Sequence, residues 1–363
     1  MDDQTQHRAH SHFRVEDDPL VRGLGRYAAD VPMPNQAYAY FVRSPHAFAR
    51  ITRIDTEAAR AAKGVVGVLT AKDMDGVGNV GRHPPVAGRN GTKLVMPIRP
   101  ALAGERVMHI GEPVAMVVGE TQQAAQDAAE LVTVEYEELT PVVDGRAALK
   151  SGAPQLWPDA PGNVALDWAG IAADPSANAA EVERIIASAR YVARVSMMNQ
   201  RMMVNSMEPR GATASYDPAT DGYTMRACSQ SAGAMRENIL GIMGLPKERV
   251  RVITEDVGGA FGLKTGAYPE NIAIMVGAKK LGRPIHWMST RSEAFLSDNQ
   301  ARDIYSDVEL ALDEKGKFLA LRVRNVGNLG AYVGSVGANI PTFNFTRCLP
   351  GMYDIGHIDV ATR

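Results

Sequence analysis

Three glycines, Gly258, Gly259 and Gly262, fall within five positions of one another, directly after the branched apolar run RVRVIT at 249–254. A strand, a glycine turn and a helix in that order let the main chain approach an oxyanion and offer it N–H donors, because residues without Cβ leave room for the ligand. The spacing GGxxG is neither the GxGxxG of a dinucleotide fold nor a P-loop, since no Gly-Lys-Ser/Thr follows. Taken alone, it fits a tight structural turn better than a phosphate cradle.

Three neighbours shift that balance. Gln230 stands at the carboxyl end of a predicted strand, GYTMRACS at 222–229, and opens the next helix. Its amide can donate to a ligand or cap the helix. Phe261 lies inside the turn, an odd place for a large ring unless it lines a pocket or packs on the adjacent helix. Cys228, two residues from Gln230, is expected to be a buried, inert thiol.

The rest of the composition narrows the chemistry. The 363 residues are 45% hydrophobic, enough for a large core and two or three domains. Lys+Arg 39 against Asp+Glu 41 gives a net charge of -2, with no basic run to bind nucleic acid. Cys228 and Cys348 lie far apart outside any metal-spaced cluster, so the chain is not expected to hold an iron–sulfur centre by itself, and any electrons would leave through another subunit. No run of about 18 apolar residues exists and the amino terminus lacks a signal-peptide core, so a cytoplasmic protein without a membrane span is expected. His7, His10 and His12 cluster in a polar segment, residues 1–22, that reads as a flexible tail rather than a metal site.

Hydrophobic periodicity then supplies the elements. AYAYFVRS (37–44), RITRIDT (50–56), GVVGVLTAKDM (64–74), GEPVAMVVGE (111–120) and TVEYEELTPVV (133–143) read as strands; EAARAAK (57–63) and TQQAAQDAAELV (121–132) read as helices. They predict an α/β domain over 23–145. Within it the Gly/Pro-rich segment 75–93, with Arg82 and His83, reads as a surface loop. A connector covers 146–195 and contains a short helix at 178–189. From about 196 a second α/β region follows: strands at 190–198, 212–218, 222–229, 249–254 and 283–290, helices at 231–245 and 269–282, and a hairpin over 303–328 turning at Glu314–Gly316.

The segments GLGRYAADVPMPNQAYAYFVRSPHAFARI (23–51), GEPVAMVVGETQQAAQDAAELVTVEYEELTPVVD (111–144), NSMEPRGATASYD (205–217), CSQSAGAMRENILGIMGLPKERVRVITEDVGGAFGLK (228–264) and NLGAY (328–332) resemble, in that order, the amino-terminal part of the molybdopterin-binding large subunit of the molybdenum hydroxylases. That family contains xanthine dehydrogenases, aldehyde oxidases and aerobic carbon monoxide dehydrogenases. The resemblance implies a mixed α+β, α/β fold: an a/b hammerhead domain over 23–145, then a partial molybdopterin-binding domain over 196–363. It implies a molybdenum–molybdopterin cofactor, with the cytosine dinucleotide form as one version. Iron–sulfur and FAD groups are expected on partner subunits. Gln230 matches the glutamine beside the molybdenum, and Phe261 the phenylalanine of the family's GGxFG turn; neither is a direct ligand. Gly258, Gly259 and Gly262 match the turn that approaches the cofactor. Lys264, Arg210, Glu208 and Arg291 fall in family-like stretches and are expected to be structural.

The activity implied is oxidation of an aldehyde, a heteroaromatic ring or a carbon monoxide-like substrate, with water as the oxygen source. In purine-oxidising members an acidic residue follows the lysine of the turn; here Thr265 follows Lys264, which speaks against purines. GLKTGAYPE and LGAYVGSVGANIPT are similar to carbon monoxide dehydrogenase-type large subunits. The family's general-base glutamate belongs to the carboxyl-terminal part of the full subunit, so no catalytic residue is expected in this chain. Glu208, Glu255, Asp256 and Glu270 are not candidates, and Cys348 does not match the family's copper-linked cysteine. Two readings follow: a subunit or fragment completed by a chain that carries the remaining half, or a non-catalytic truncated remnant or assembly piece. Acting alone, the chain is expected to leave apolar surface exposed where the rest of the cofactor domain would pack, and to self-associate.

Overall fold

The computed structural model describes residues 14–81, 84–334 and 336–363. The histidine cluster at 7–12, and Arg82 and His83, lie outside them.

Among the described residues, fourteen strands form three sheets. They are β1 (Ala37–Arg43), β2 (Ala49–Asp55), β3 (Val65–Thr70), β4 (Arg106–Val107), β5 (Pro113–Gly119), β6 (Thr133–Glu138), β7 (Tyr191–Asn199), β8 (Gly211–Asp217), β9 (Gly222–Ala227), β10 (Val250–Ile253), β11 (Ile285–Met288), β12 (Ile304–Leu312), β13 (Phe318–Gly327) and β14 (His357–Thr362). The largest sheet has the order β10-β9-β8-β11-β1-β5-β3. β5 is buried along its whole length, as its unbroken apolar run requires of a central strand. β1 pairs parallel with β11 through Ala37↔Ile285 and Tyr38↔His286. This sheet therefore continues across the segments read as hammerhead and cofactor domain. A second sheet, β14-β13-β12-β7, carries the expected hairpin, and a small third sheet joins β4, β2 and β6.

Two helices cover the site side of the large sheet. The 232–243 helix is capped by Ser231, whose Oγ accepts from the Ala234 N–H at 3.1 Å, and it stops at Gly244 in the left-handed conformation. The 269–281 helix opens on Pro269 and also ends at a left-handed glycine, Gly282. It is buried along most of its length, between the sheet and the segment after the glycine turn. The connector helix starts earlier than its periodicity suggests, at Pro175 with Asp174 as cap, because proline is well suited to a first helical turn. β6 stops at Glu138, short of Pro141, which lacks a ladder donor. The helix Arg291–Ser297 was not anticipated, although Thr290 and Glu293 write its capping box into the sequence.

The core centres on Phe41, Met116, Met225, Ile272, Ile285 and Trp287, packed between the large sheet and these helices. Phe41 meets Trp287 edge-on at 5.6 Å. Beneath the 269–281 helix lies a buried ionic cluster. Arg210 Nη1 donates to Glu270 Oε2 at 2.9 Å and its Nε to Asp298 Oδ1 at 2.6 Å, while Arg43 Nη1 donates to Glu270 Oε1 at 2.9 Å and its Nε to Glu293 Oε1 at 3.1 Å. The Arg210 guanidinium stacks on Tyr268 at 3.8 Å. Burial alone would push Glu270 up, but Arg210 and Arg43 overcome it and hold the carboxyl well below its usual range. Arg210 is thus a structural residue that ties β8 to two helices.

Candidate functional site

The glycine turn hangs from one buried ion pair. Lys264, 1% exposed, donates from Nζ to Glu208 Oε2 at 2.9 Å and to the Glu208 carbonyl at 2.8 Å. Glu208 Oε2 also accepts from the Gly258 N–H at 2.9 Å, and the Glu208 N–H donates to the Gly258 carbonyl at 3.0 Å. Both ends of the turn are therefore fixed to one residue of the 200–210 segment. The other Glu208 oxygen accepts from the Ala28 N–H at 3.3 Å.

Gly258 contributes no free donor, because its N–H already serves Glu208. What requires glycine there is contact: a Cβ would lie 2.5 Å from Glu208 Cβ. Gly259 and Gly262 are needed for their backbones, with φ of 92° and 90°, and Phe261 joins them in the left-handed region at φ 50°. In this conformation the N–H groups of Gly259, Ala260, Phe261 and Gly262 have no hydrogen-bond partner among the described residues. Successive unpaired N–H groups on a turn with left-handed residues are a backbone arrangement suited to an anion.

Gln230 is brought to the same place. Its backbone N–H donates to the Lys264 carbonyl at 2.9 Å and its Oε1 accepts from the Lys264 N–H at 3.2 Å. This ring of bonds aligns the glutamine with the end of the turn and leaves Nε2 as a donor without a partner among the described residues. The helix cap is Ser231, so the capping alternative for Gln230 does not hold. Phe261 is 78% exposed. Its ring lies over Gly259, where a Cβ would stand 3.1 Å from Phe261 Cε2.

The remaining candidates are structural. Cys228 is buried, its Sγ accepts from the Gly211 N–H at 3.2 Å, and burial pushes its thiol up. Glu255 pairs with Arg226 at 2.5 Å and Asp256 accepts from the Arg26 N–H at 2.8 Å. Arg291 holds the Met207 carbonyl at 2.9 Å. Cys348 is exposed and stands apart from the turn in sequence and in its hydrogen bonding. Reading by sequence missed how much the turn depends on Glu208; the charged pair in NSMEPRG and GLK was visible, but nothing local indicated that they meet.

A donor-rich turn, the side-chain amide of Gln230 and an exposed ring thus stand at one edge of a mixed sheet. The molybdopterin cofactor-binding domain family matches residues 158–363, and the aldehyde oxidase and xanthine dehydrogenase a/b hammerhead domain family matches residues 22–140. The chain belongs to the family of molybdopterin-binding large subunits of the molybdenum hydroxylases. It is 34% identical to the carbon monoxide dehydrogenase large chain of Hydrogenophaga pseudoflava, over 94% of this chain and 42% of that one. The structure of quinoline 2-oxidoreductase from Pseudomonas putida 86 superposes with a TM-score of 0.87 at 30% identity, over 97% of this chain and 43% of that chain. The nicotinate dehydrogenase large molybdopterin subunit of Eubacterium barkeri is 24% identical, over 96% of this chain and 76% of that subunit. The chain spans less than half the length of the first two relatives.

Proposed function

We propose that this chain is the molybdopterin-binding subunit, or the amino-terminal part of one, of a molybdenum hydroxylase-type oxidoreductase. The observation that carries the reading is the run of four unpaired N–H groups at 259–262 beside the unpaired Nε2 of Gln230. These donors suit a ligand dense in oxygen and sulfur acceptors, and the residues present fit the cofactor. When bound, the cofactor supplies the two-electron redox centre at which a substrate carbon gains oxygen from water. The chain's own residues bind and orient. Gly259, Phe261 and Gly262 offer backbone donors, Gln230 offers a side-chain donor, and Gly258 lets the turn lie against Glu208. Fixed donors of this kind need no reorganisation when charge develops at the centre. Phe261 presents an exposed apolar ring beside these donors.

The substrate class is an aldehyde, an electron-poor heteroaromatic ring or carbon monoxide; Thr265, in place of a carboxylate, argues against a purine. The cytosine dinucleotide form of the cofactor, an iron–sulfur subunit, a flavin subunit and a cytoplasmic site of action complete the proposal. No helix among the described residues is long and apolar enough to cross a membrane. A chain carrying the rest of the relatives' length would cover the side chains of Met202, Met207, Phe295 and Leu296, all of which are exposed here. The test is pterin content. Protein from the native host should release an oxidised, fluorescent pterin on denaturation, and Gly262→Val, which blocks the turn's open face, should release at least tenfold less, a loss of about 1.4 kcal/mol or more in binding. Equal pterin in both proteins would remove the turn from the site.

A further inference from the structure

Beside the segment that follows the glycine turn, a recess is lined by Arg99, Asn238, Leu263, Gly266, Tyr268 and Asn299. Its free space is about 10 Å³, room for a single oxygen-sized atom. Arg99 is 8% exposed, yet no carboxylate among the described residues lies within ion-pair reach of it. Among the described residues, the one hydrogen bond of its side chain is a long one, from Nη1 to Asn299 Oδ1 at 3.5 Å, and its Nε is buried without an acceptor.

This isolation is peculiar to Arg99. Arg43 and Arg210, the other buried guanidiniums nearby, each hold two carboxylates. The acid that might have served Arg99 is Glu112, but its carboxylate is consumed by the Met108 N–H and the Tyr332 hydroxyl, each at 2.6 Å. Arg99 instead lies between two rings, with Cζ 5.9 Å from Tyr268 and 5.6 Å from Tyr332. Ring stacking steadies a cation but gives its in-plane N–H groups no acceptor. A desolvated guanidinium with most of its donors idle is costly unless an anion completes it.

We infer that this recess is a binding site for a small carboxylate, which enters with one oxygen on the idle donors of Arg99 while the rest of the molecule stays at the mouth beside Asn238. A planar guanidinium is suited to a carboxylate, and the volume admits the oxygen and nothing larger. The site lies against the segment that follows the glycine turn, so a bound acid would stand next to the proposed cofactor position. The inference itself does not depend on cofactor binding, and the two fail separately.

Thermal unfolding of the purified chain in sodium formate and sodium acetate, at ionic strength matched with chloride, tests it. The wild type should show a saturable rise in midpoint with formate. Arg99→Met should bind formate about ten- to a hundredfold more weakly, the factor that one or two charge-assisted hydrogen bonds represent. Arg99→Lys should fall between. If Arg99→Met does not fold, Asn238→Leu, half-buried at the recess, removes the polar group at the mouth and should also weaken the response. No saturable rise in the wild type, or the same rise in all variants, would overturn the site. So would a carboxylate side chain of a co-purifying polypeptide found on Arg99 by cross-linking.

Discussion

Replacing Gly258 by alanine tests how the turn is held. The new Cβ would stand 2.5 Å from Glu208 Cβ and 3.3 Å from Glu208 N, where carbon atoms at rest lie about 3.5–4.0 Å apart. Both neighbours are rigid, so the turn or the Glu208 segment must move by about 1 Å. That shift acts on three bonds at once: the two between Gly258 and Glu208, at 2.9 and 3.0 Å, and Lys264 Nζ to the Glu208 carbonyl at 2.8 Å. Overpacking costs about 1–3 kcal/mol, and the weakening of a bond to a charged group adds about 1.5–3 kcal/mol. The expected loss is the sum, about 2.5–6 kcal/mol, read from the midpoint and slope of urea unfolding. Gly262→Ala is the control: no atom lies within 4 Å of its Cβ, so only the left-handed backbone, φ 90°, opposes it, at about 1–2 kcal/mol. If Gly258→Ala unfolds within about 0.5 kcal/mol of wild type, the contact with Glu208 does not hold the turn.

Glu270→Gln leaves Arg210 and Arg43 without their shared carboxylate and should destabilise by about 3–5 kcal/mol in chemical denaturation. The Glu270 carboxyl is held below its unfolded value, so its contribution is present above about pH 4.3 and is lost as pH falls below that; Glu270→Gln should flatten the acid limb of a stability–pH curve. Tyr268 behaves in the opposite sense. Burial pushes its phenol up to about 12, so the stability it adds is complete below about pH 10 and is lost as pH rises from 10 through 12, a loss absent from Tyr268→Phe. A thiol reagent at neutral pH should titrate Cys348 at once and Cys228 only on unfolding, because Cys348 is exposed and Cys228 is buried with a raised thiol; two rapidly reacting thiols would contradict the burial.

Much of the fold was legible from period and punctuation. The alternation in AYAYFVRS, the apolar run PVAMVVG and the glycines at 244 and 282 located their elements to within a residue or two. Residue pairings far apart in sequence were not legible. The parallel match of β1 with β11 joins positions almost 250 residues apart, and no local pattern encodes it. The same limit explains the site. The GGxFG turn and Gln230 were found from residue type and family resemblance, and the structure brings them together through Lys264. The isolation of Arg99 could not be read at all, since it depends on Glu112 being occupied by Tyr332, a residue 220 positions away.

The central claim is that the bare turn at 258–262, with Gln230 beside it, belongs to a molybdenum cofactor site in an assembled hydroxylase. The most direct measurement is molybdenum per chain in tagged protein drawn from its native host, with the masses of all co-purifying chains recorded. The expected result is near-stoichiometric metal, together with a polypeptide supplying the remainder of the large subunit, iron and flavin, and a marked loss of metal in Gly262→Val. Protein that carries no molybdenum and no companion chain under conditions where the host makes the cofactor would contradict it.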